Sequence, residues 1–326
     1  MKEFTIGKNE AGQRFDKYLT KLLPNATKSF IYKMLRKKNI TLNGKKAAGS
    51  EILSLSDEVR LFFSDETYAK FSGAIPKLPA AAHTFDFSSA VVYEDDDILI
   101  VNKPSGILSQ PERADGESLV SGLTEYLLEQ GKITGEQLRT FHPAPANRLD
   151  RNTSGLILCG ISLRGSQFLT EIIKSRDLKK HYLTVTRGEI EDGIYEAYLK
   201  KDTAVNKVTV SGHPAEGYLR IVTGVTVLRR AGEYSLLDID LITGRTHQIR
   251  SHLAWLGAPV IGDIKYGDRD LSAILKKEVG LKHQFLHAER ITFPVSQGDF
   301  SYTSGMSVKA PLTAEEERIL EKLGLR

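Results

Sequence analysis

The stretch Asn147-Arg148-Leu149-Asp150-Arg151-Asn152-Thr153-Ser154-Gly155-Leu156-Ile157-Leu158 sets one carboxylate between two arginines, ahead of a polar run and an apolar strand. Two kinds of chemistry suit such an aspartate. It can accept hydrogen bonds within a turn, as Asn, Asp, Ser and Thr side chains commonly do, or it can react as a carboxylate held near cations. A second stretch, Leu241-Ile242-Thr243-Gly244-Arg245-Thr246-His247-Gln248-Ile249-Arg250-Ser251-His252, bears on the choice. In a helix over 245–256, Ile249, Leu253 and Leu256 share the core face, and Arg245, His247 and Gln248 gather on the other sides near its N-terminus. Arg250 then falls at the edge of the buried stripe. A desolvated guanidinium is costly without an acidic partner, and Asp150 is the candidate.

Other chemistries lack their residues. The chain has no G-x-x-x-x-G-K-[ST] loop, no G-x-G-x-x-G after a strand, no C-x-x-C pair, no H-E-x-x-H and no G-x-S-x-G elbow. His247 and His252 stand five apart, not the four that put two ligands on one helical face. No metal and no cofactor is therefore expected. The single Cys159, inside the apolar run LILCG, reads as a small buried hydrophobe and cannot form an intrachain disulfide. The opening MKEFTIGKNE has no secretory h-region, and no window approaches 18 uninterrupted apolar residues. A cytoplasmic protein without a membrane span is the expectation.

The elements that must position these groups follow from periodicity. Phe15, Tyr18, Leu19, Leu22 and Leu23 recur at helical spacing up to Pro24; Phe30, Ile31, Met34 and Leu35 form a second stripe behind the caps Thr27 or Ser29. Asn43-Gly44 marks a hairpin after Ile40-Thr41-Leu42, and a further strand runs from Val59 to Phe63. Residues 64–89, with Gly73, Pro76 and Pro79 and no clear period, read as a linker between a unit at 1–63 and one at 90–326. In the second unit, strands are expected at 91–93, 98–101, 182–186, 218–228, 234–242, 258–261 and 285–293, with helices at 119–127 and 168–173. Many short strands with few intervening helices predict an α+β fold with a mixed, largely antiparallel sheet.

Charge is distributed unevenly. The chain of 326 residues carries a net +4, yet the segment Gln13–Lys46 holds ten basic side chains against the single acid Asp16. Lysine runs are often no more than solvated faces, but this asymmetry also suits a polyanion-binding module on a body that is not basic overall.

Residues 12–63, with Gln13-Arg14-Phe15-Asp16-Lys17-Tyr18-Leu19 at their start, resemble the S4 RNA-binding domain. That resemblance implies an RNA footprint on the basic helix face of Lys33, Arg36 and Lys37. Residues 88–300 resemble the catalytic domain of the RluA family of pseudouridine synthases through three blocks in order: NRLDRNTSGLIL, KKHYLTVTRG and LITGRTHQIRSHLAWLGAPVIGDIKYG. The resemblance implies that Asp150 is the essential aspartate, that Arg148 enters the space left by a flipped uridine, and that Tyr182 contacts the base. It implies further that Arg250 pairs with the aspartate while Ile249 packs in the base pocket. Asn147 stands where the family usually has His. Lys103, in Lys103-Pro104-Ser105-Gly106, either shapes a turn or touches substrate. The expected partner is RNA, most of all 23S-type ribosomal RNA or pre-ribosomal particles, acted on by a monomer. A non-catalytic RNA-binding or ribosome-assembly factor on the same fold is the rival reading, and a synthase for tRNA or small-subunit RNA is another.

Overall fold

The structure, a computed structural model, describes residues 1–73, 85–112, 116, 118–202 and 207–326. Its N-terminal part runs β1 (Lys2–Thr5), α1 (Phe15–Leu22), α2 (Lys28–Arg36), β2 (Ile40–Leu42), β3 (Lys45–Lys46) and β4 (Glu58–Leu61), with the strands in the antiparallel order β1-β4-β2-β3. The helical spacing does its expected work: Phe15, Tyr18, Leu19 and Leu22 of α1 and Ile31, Met34 and Leu35 of α2 close over Ile40, Val59 and Leu61. Thr27 caps α2 by accepting the Phe30 N–H at 3.3 Å. Asn43 and Gly44, at φ 52° and 70°, make the two-residue turn between β2 and β3. With its apolar stripe turned inward, α2 leaves Lys33 and Arg36 exposed, and Lys37 follows at its C-cap, also exposed.

Within 64–89 the described residues carry two helices, α3 (Asp65–Ser72) and α4 (Phe87–Ala90). Ser64 caps α3 by accepting the Thr67 N–H at 3.2 Å, and Phe71 packs on Phe30 with ring centroids 4.3 Å apart. Only two aromatic anchors, Tyr68 and Phe71, tie α3 to the N-terminal core, too few for a visible period. Pro76 and Pro79 lie outside the described residues.

A second sheet of eleven strands follows. It comprises β5 (Val91–Glu94), β6 (Ile98–Lys103), β7 (Ala144–Pro145), β8 (Ser154–Gly160), β9 (Lys179–Arg187), β10 (Gly193–Asp202), β11 (Lys207–Ser211), β12 (Leu219–Ala231), β13 (Tyr234–Asp240), β14 (Leu286–Thr292) and β15 (Ser307–Lys309). The order is β11-β10-β12-β13-β9-β14-β8-β6-β5, with β15 on β14 and β7 on β8. Among the described pairings only β14 with β8 is parallel. Helices cover both faces: α5 (Leu119–Glu129), α6 (Leu163–Lys174), α7 (Gln248–Trp255), α8 (Arg269–Glu278) and α9 (Ala314–Lys322). Alternation sorts the side chains between them. Ile98 and Ile100 pack with Leu169 and Ile172 of α6, whereas Leu99 and Val101 pack with Leu119, Leu123 and Leu127 of α5 and with Ile249 and Leu253 of α7. The fold is α+β, as its pattern of elements predicts.

Two expectations differ from the structure in detail. Residues 258–261 form no strand; Val260 makes a single bridge to Thr186. The helix expected from 245 begins at Gln248, because His247 sits at φ 53° and Arg245 to Gln248 form a turn, the Gln248 N–H donating to the Arg245 carbonyl at 3.0 Å.

Candidate active site

Asp150 lies in the loop between β7 and β8, where its carbonyl accepts the Thr153 N–H at 3.0 Å. The loop is fixed from several sides. Ser109 donates to the Leu149 carbonyl at 2.8 Å and accepts the Leu149 N–H at 3.1 Å. Asn147 accepts the Leu158 N–H at 2.8 Å and donates to the Leu156 carbonyl at 3.3 Å, locking the loop to the edge of β8. An amide makes both bonds from its one end, which an imidazole with nitrogens on different ring positions does not. Lys103 is fully buried, and its ammonium donates to the carbonyls of Pro104, Ile107 and Arg151 at 2.8, 2.9 and 3.2 Å. Burial pushes its pKa down to about 7 while the Asp150 charge opposes the shift. Three carbonyls thus accept from its three protons. Lys103 therefore shapes the turns on either side of the site.

The two long motifs meet. Arg250, on α7, donates through Nη1 to Asp150 Oδ2 at 2.7 Å, joining residues one hundred positions apart. The same guanidinium forms a two-pronged pair with Asp263, Nε to Oδ2 at 2.7 Å and Nη2 to Oδ1 at 2.8 Å. Asp263 has no exposed side-chain surface, and its Oδ1 also accepts the N–H groups of Lys265 and Tyr266. Burial alone would raise its pKa; the bonds and charge of Arg250 and those two N–H groups outweigh burial and hold it below the usual carboxylate range. The Tyr266 ring lies 5.3 Å from the Arg250 guanidinium carbon. His247 reaches within 3.8 Å of Asp150 Oδ1 through Nε2, and its Nδ1 is 2.8 Å from the Tyr266 hydroxyl.

A cleft of about 740 Å³ opens over this cluster. Tyr182 of β9 and Ile249 of α7 are both buried in its wall beside Asp150, and Arg148 stands exposed at its rim with no hydrogen bond or ion pair to the described residues. Burial pushes the Tyr182 hydroxyl pKa up, and the Asp150 charge adds to the rise, so the ring enters the cleft as a neutral phenol. Seven cationic side chains line the cleft (Arg148, Arg151, Lys180, Lys201, Arg245, Arg250 and Lys265) against the acids Glu112 and Asp150. Such a surface attracts a polyanion. Lys33, Arg36 and Lys37 are not among the lining residues; they lie on α2 and its C-cap, in the N-terminal part.

Asp150, Arg148, Tyr182, Ile249 and Arg250 thus line one cleft. Asp263, His247 and Tyr266 complete the cluster, and the sequence assigns none of them to it. Asp263 and Tyr266 lie within GAPVIGDIKYG, where an aspartate after glycine reads as a turn residue. Burial pushes the Cys159 thiol pKa up, in keeping with a small core residue. No group of three or more metal-ligating side chains occurs among the described residues.

Comparison with known proteins gives this arrangement its class. The family model described as RNA pseudouridylate synthase matches residues 97–255, and the S4 domain model matches residues 13–59. The solved structure of human RNA pseudouridylate synthase domain containing 4 superposes with a TM-score of 0.59 at 18% identity, covering 73% of this chain and 94% of that one, a likeness of fold. The protein is an RNA pseudouridine synthase with an S4 domain. Ribosomal large subunit pseudouridine synthase C of Haemophilus ducreyi is 32% identical over 98% of this chain and 95% of its own length. The protein of that name from Escherichia coli K12 is 31% identical over 99% and 97%. The chain belongs to the RluA family of pseudouridine synthases. No helix among the described residues is long and apolar enough to cross a membrane.

Proposed function

We propose that this enzyme isomerises uridine in large-subunit ribosomal RNA with Asp150 as the reacting carboxylate. The observation that carries the reading is the 2.7 Å bond from Arg250 to Asp150 at the floor of a cationic cleft, beside Tyr182 and Ile249. The names of the relatives support the choice of RNA. In the reaction the N1–C1′ bond breaks, the base turns, and a C5–C1′ bond forms; C5 releases a proton and N1 gains one. No electrons are exchanged with a second reactant. The carboxylate serves either as a covalent nucleophile or as a partner for cationic sugar character that assists proton removal. The target base must leave its stack, at a cost of a few kcal/mol. Arg148, unpaired at the rim, fills the vacated space, and Tyr182 and Ile249 flank the flipped base.

The chain divides into an RNA-gripping unit at 1–63 and a catalytic unit at 90–326, with the segment between them lending α3 to the first. Lys33, Arg36 and Lys37 of the first unit hold phosphates. The enzyme works in the cytoplasm as a monomer on 23S-type RNA or its precursor particles. Release of tritium from large-subunit RNA labelled at uridine C5 tests the assignment. Wild type should release it, and Asp150→Asn should be at least about 10³-fold slower. No release from large-subunit RNA refutes the substrate, and full activity of Asp150→Asn refutes the residue.

A further inference from the structure

We propose that His247 is a positioning residue that holds the second oxygen of Asp150 through an Nε2–H whose placement Tyr266 dictates. This rests on Asp150 being the reacting carboxylate. Arg250 fixes Oδ2 at 2.7 Å, while Oδ1 has His247 Nε2 as its facing partner at 3.8 Å. The proton count around the ring decides which nitrogen faces the carboxylate as a donor. The Tyr266 hydroxyl accepts the Val208 N–H at 3.0 Å and stands 2.8 Å from His247 Nδ1. A phenol has one proton, and its neighbour at Val208 is already a donor, so that proton goes to Nδ1. Nδ1 is then the acceptor, and the imidazole proton lies on Nε2, toward Asp150. The opposite tautomer would leave the phenol proton without an acceptor and turn a lone pair on Nε2 toward the carboxylate.

The ring is held where it is. His247 takes a left-handed backbone, φ 53°, which residues other than glycine adopt infrequently. The Ser251 N–H and hydroxyl both donate to its carbonyl at 3.0 Å, so the first turn of α7 maintains that conformation. Closing 3.8 Å to a hydrogen bond takes about 1 Å of movement, of the order by which catalytic contacts tighten on substrate binding. With one bond to each oxygen the carboxylate no longer rotates about Cβ–Cγ, and its remaining lone pairs face the cleft.

The charge state is consistent with this geometry. Burial pushes the His247 pKa below its ordinary value; Arg250 and Lys265 push the same way, and Asp150 and Asp263 oppose. The imidazole is neutral at pH 7. Below that pKa both nitrogens carry protons, and the Tyr266 hydroxyl must turn from donor to acceptor. Without the Tyr266 hydroxyl nothing fixes the proton of the neutral ring on Nε2, and the tautomer whose Nε2 lone pair faces Asp150 becomes populated.

The test is steady-state tritium release from C5-labelled RNA across pH 5 to 9 for wild type, His247→Gln, His247→Phe and Tyr266→Phe, with melting temperatures measured alongside. His247→Phe should lose about 100-fold in kcat with KM changed by less than about threefold, as a misplaced reacting group does. His247→Gln, which restores an N–H donor near the Nε2 position, should recover at least about tenfold of that loss. Tyr266→Phe should lower kcat at neutral pH, where the proton is free to leave Nε2, and recover toward wild type below the His247 pKa, where both nitrogens carry protons. Wild-type kcat in His247→Phe, a folded His247→Gln no faster than His247→Phe, or a Tyr266→Phe profile superimposable on wild type each overturns the inference. If His247→Phe fails to fold, the Tyr266→Phe profile decides alone. Asp150→Asn separates the two levels: its inactivity beside an active His247→Phe sinks only the positioning role, whereas its activity sinks the underlying assignment.

Discussion

Arg250 is shared by two carboxylates of different character, and its substitutions should separate their roles. Asp263 is wholly buried and takes two of its bonds, whereas Asp150 is partly open to the cleft and takes one. Arg250→Ala leaves the Asp263 charge buried without its partner and should cost about 3–5 kcal/mol of stability. Arg250→Lys keeps the charge but loses the planar fork that spans both carboxylates; it should fold, with kcat lowered about 100-fold. Chemical denaturation and C5 tritium release measure the two effects, and a lysine variant with wild-type turnover would deny Arg250 any role in placing Asp150. The pairing of Arg250 with Asp150 is legible because an arginine at the edge of an apolar stripe demands an acid. Asp263 is not, since it stands thirteen positions after Arg250, beyond the end of α7, where no periodicity shows that the two meet.

At the scale of elements, the loop bearing Asp150 depends on how closely β8 approaches β14. Gly155 pairs with Ala288 in the parallel register and has φ +109°; a Cβ there would lie 2.4 Å from the Ala288 carbonyl oxygen. Gly155→Ala must therefore push the strands apart five residues beyond Asp150. It should destabilise the protein by about 1–3 kcal/mol, and because the loop moves with the strand, kcat should fall as well. Thermal unfolding with turnover measured well below the transition checks this, and unchanged values of both would show that the strands accommodate the methyl group. The polar run before Leu156 reads as a turn in the sequence, which holds for Asp150 to Thr153, but Ser154 and Gly155 already belong to β8. Strands with long apolar and β-branched runs, β6, β12 and β13, are legible from their side chains. β10 and β11 are not, because Lys200, Lys201 and Asp202 at the end of one and Lys207 at the start of the other are charged and exposed. The first turn of α7 is misread for a different reason: the Gln248 amide accepts the Arg245 N–H and the Thr243 hydroxyl, a tertiary arrangement that stops the helix at a residue of good helical context.

For the whole molecule, the parts that carry the two sheets touch through polar contacts that lie outside the strands. The Thr140 hydroxyl donates to the buried Glu10 at 2.8 Å, and Arg139 donates to the carbonyls of Ser72 and Gly73 at 2.9 and 3.2 Å. Glu10 and Thr140 are 130 residues apart, and neither type announces such a pairing, so the sequence does not show this contact. On the proposed function, the basic face of α2, which does not line the cleft that holds Asp150, adds binding energy only. Replacing Lys33, Arg36 and Lys37 together by Ala removes three exposed cations from that face. RNA affinity should weaken and KM rise, while kcat at saturating RNA stays close to wild type, because the interactions removed are made equally in ground and transition states. Each phosphate that the protein no longer neutralises should also reduce the slope of log K against log salt by about 0.7, so the triple variant should be shallower by about 2. Binding measured over a salt series, with turnover at saturating RNA, reads both quantities. An unchanged slope would mean that the lysine-rich helix is only a solvated face, and a collapse of kcat at saturation would mean that it helps shape the cleft from a distance.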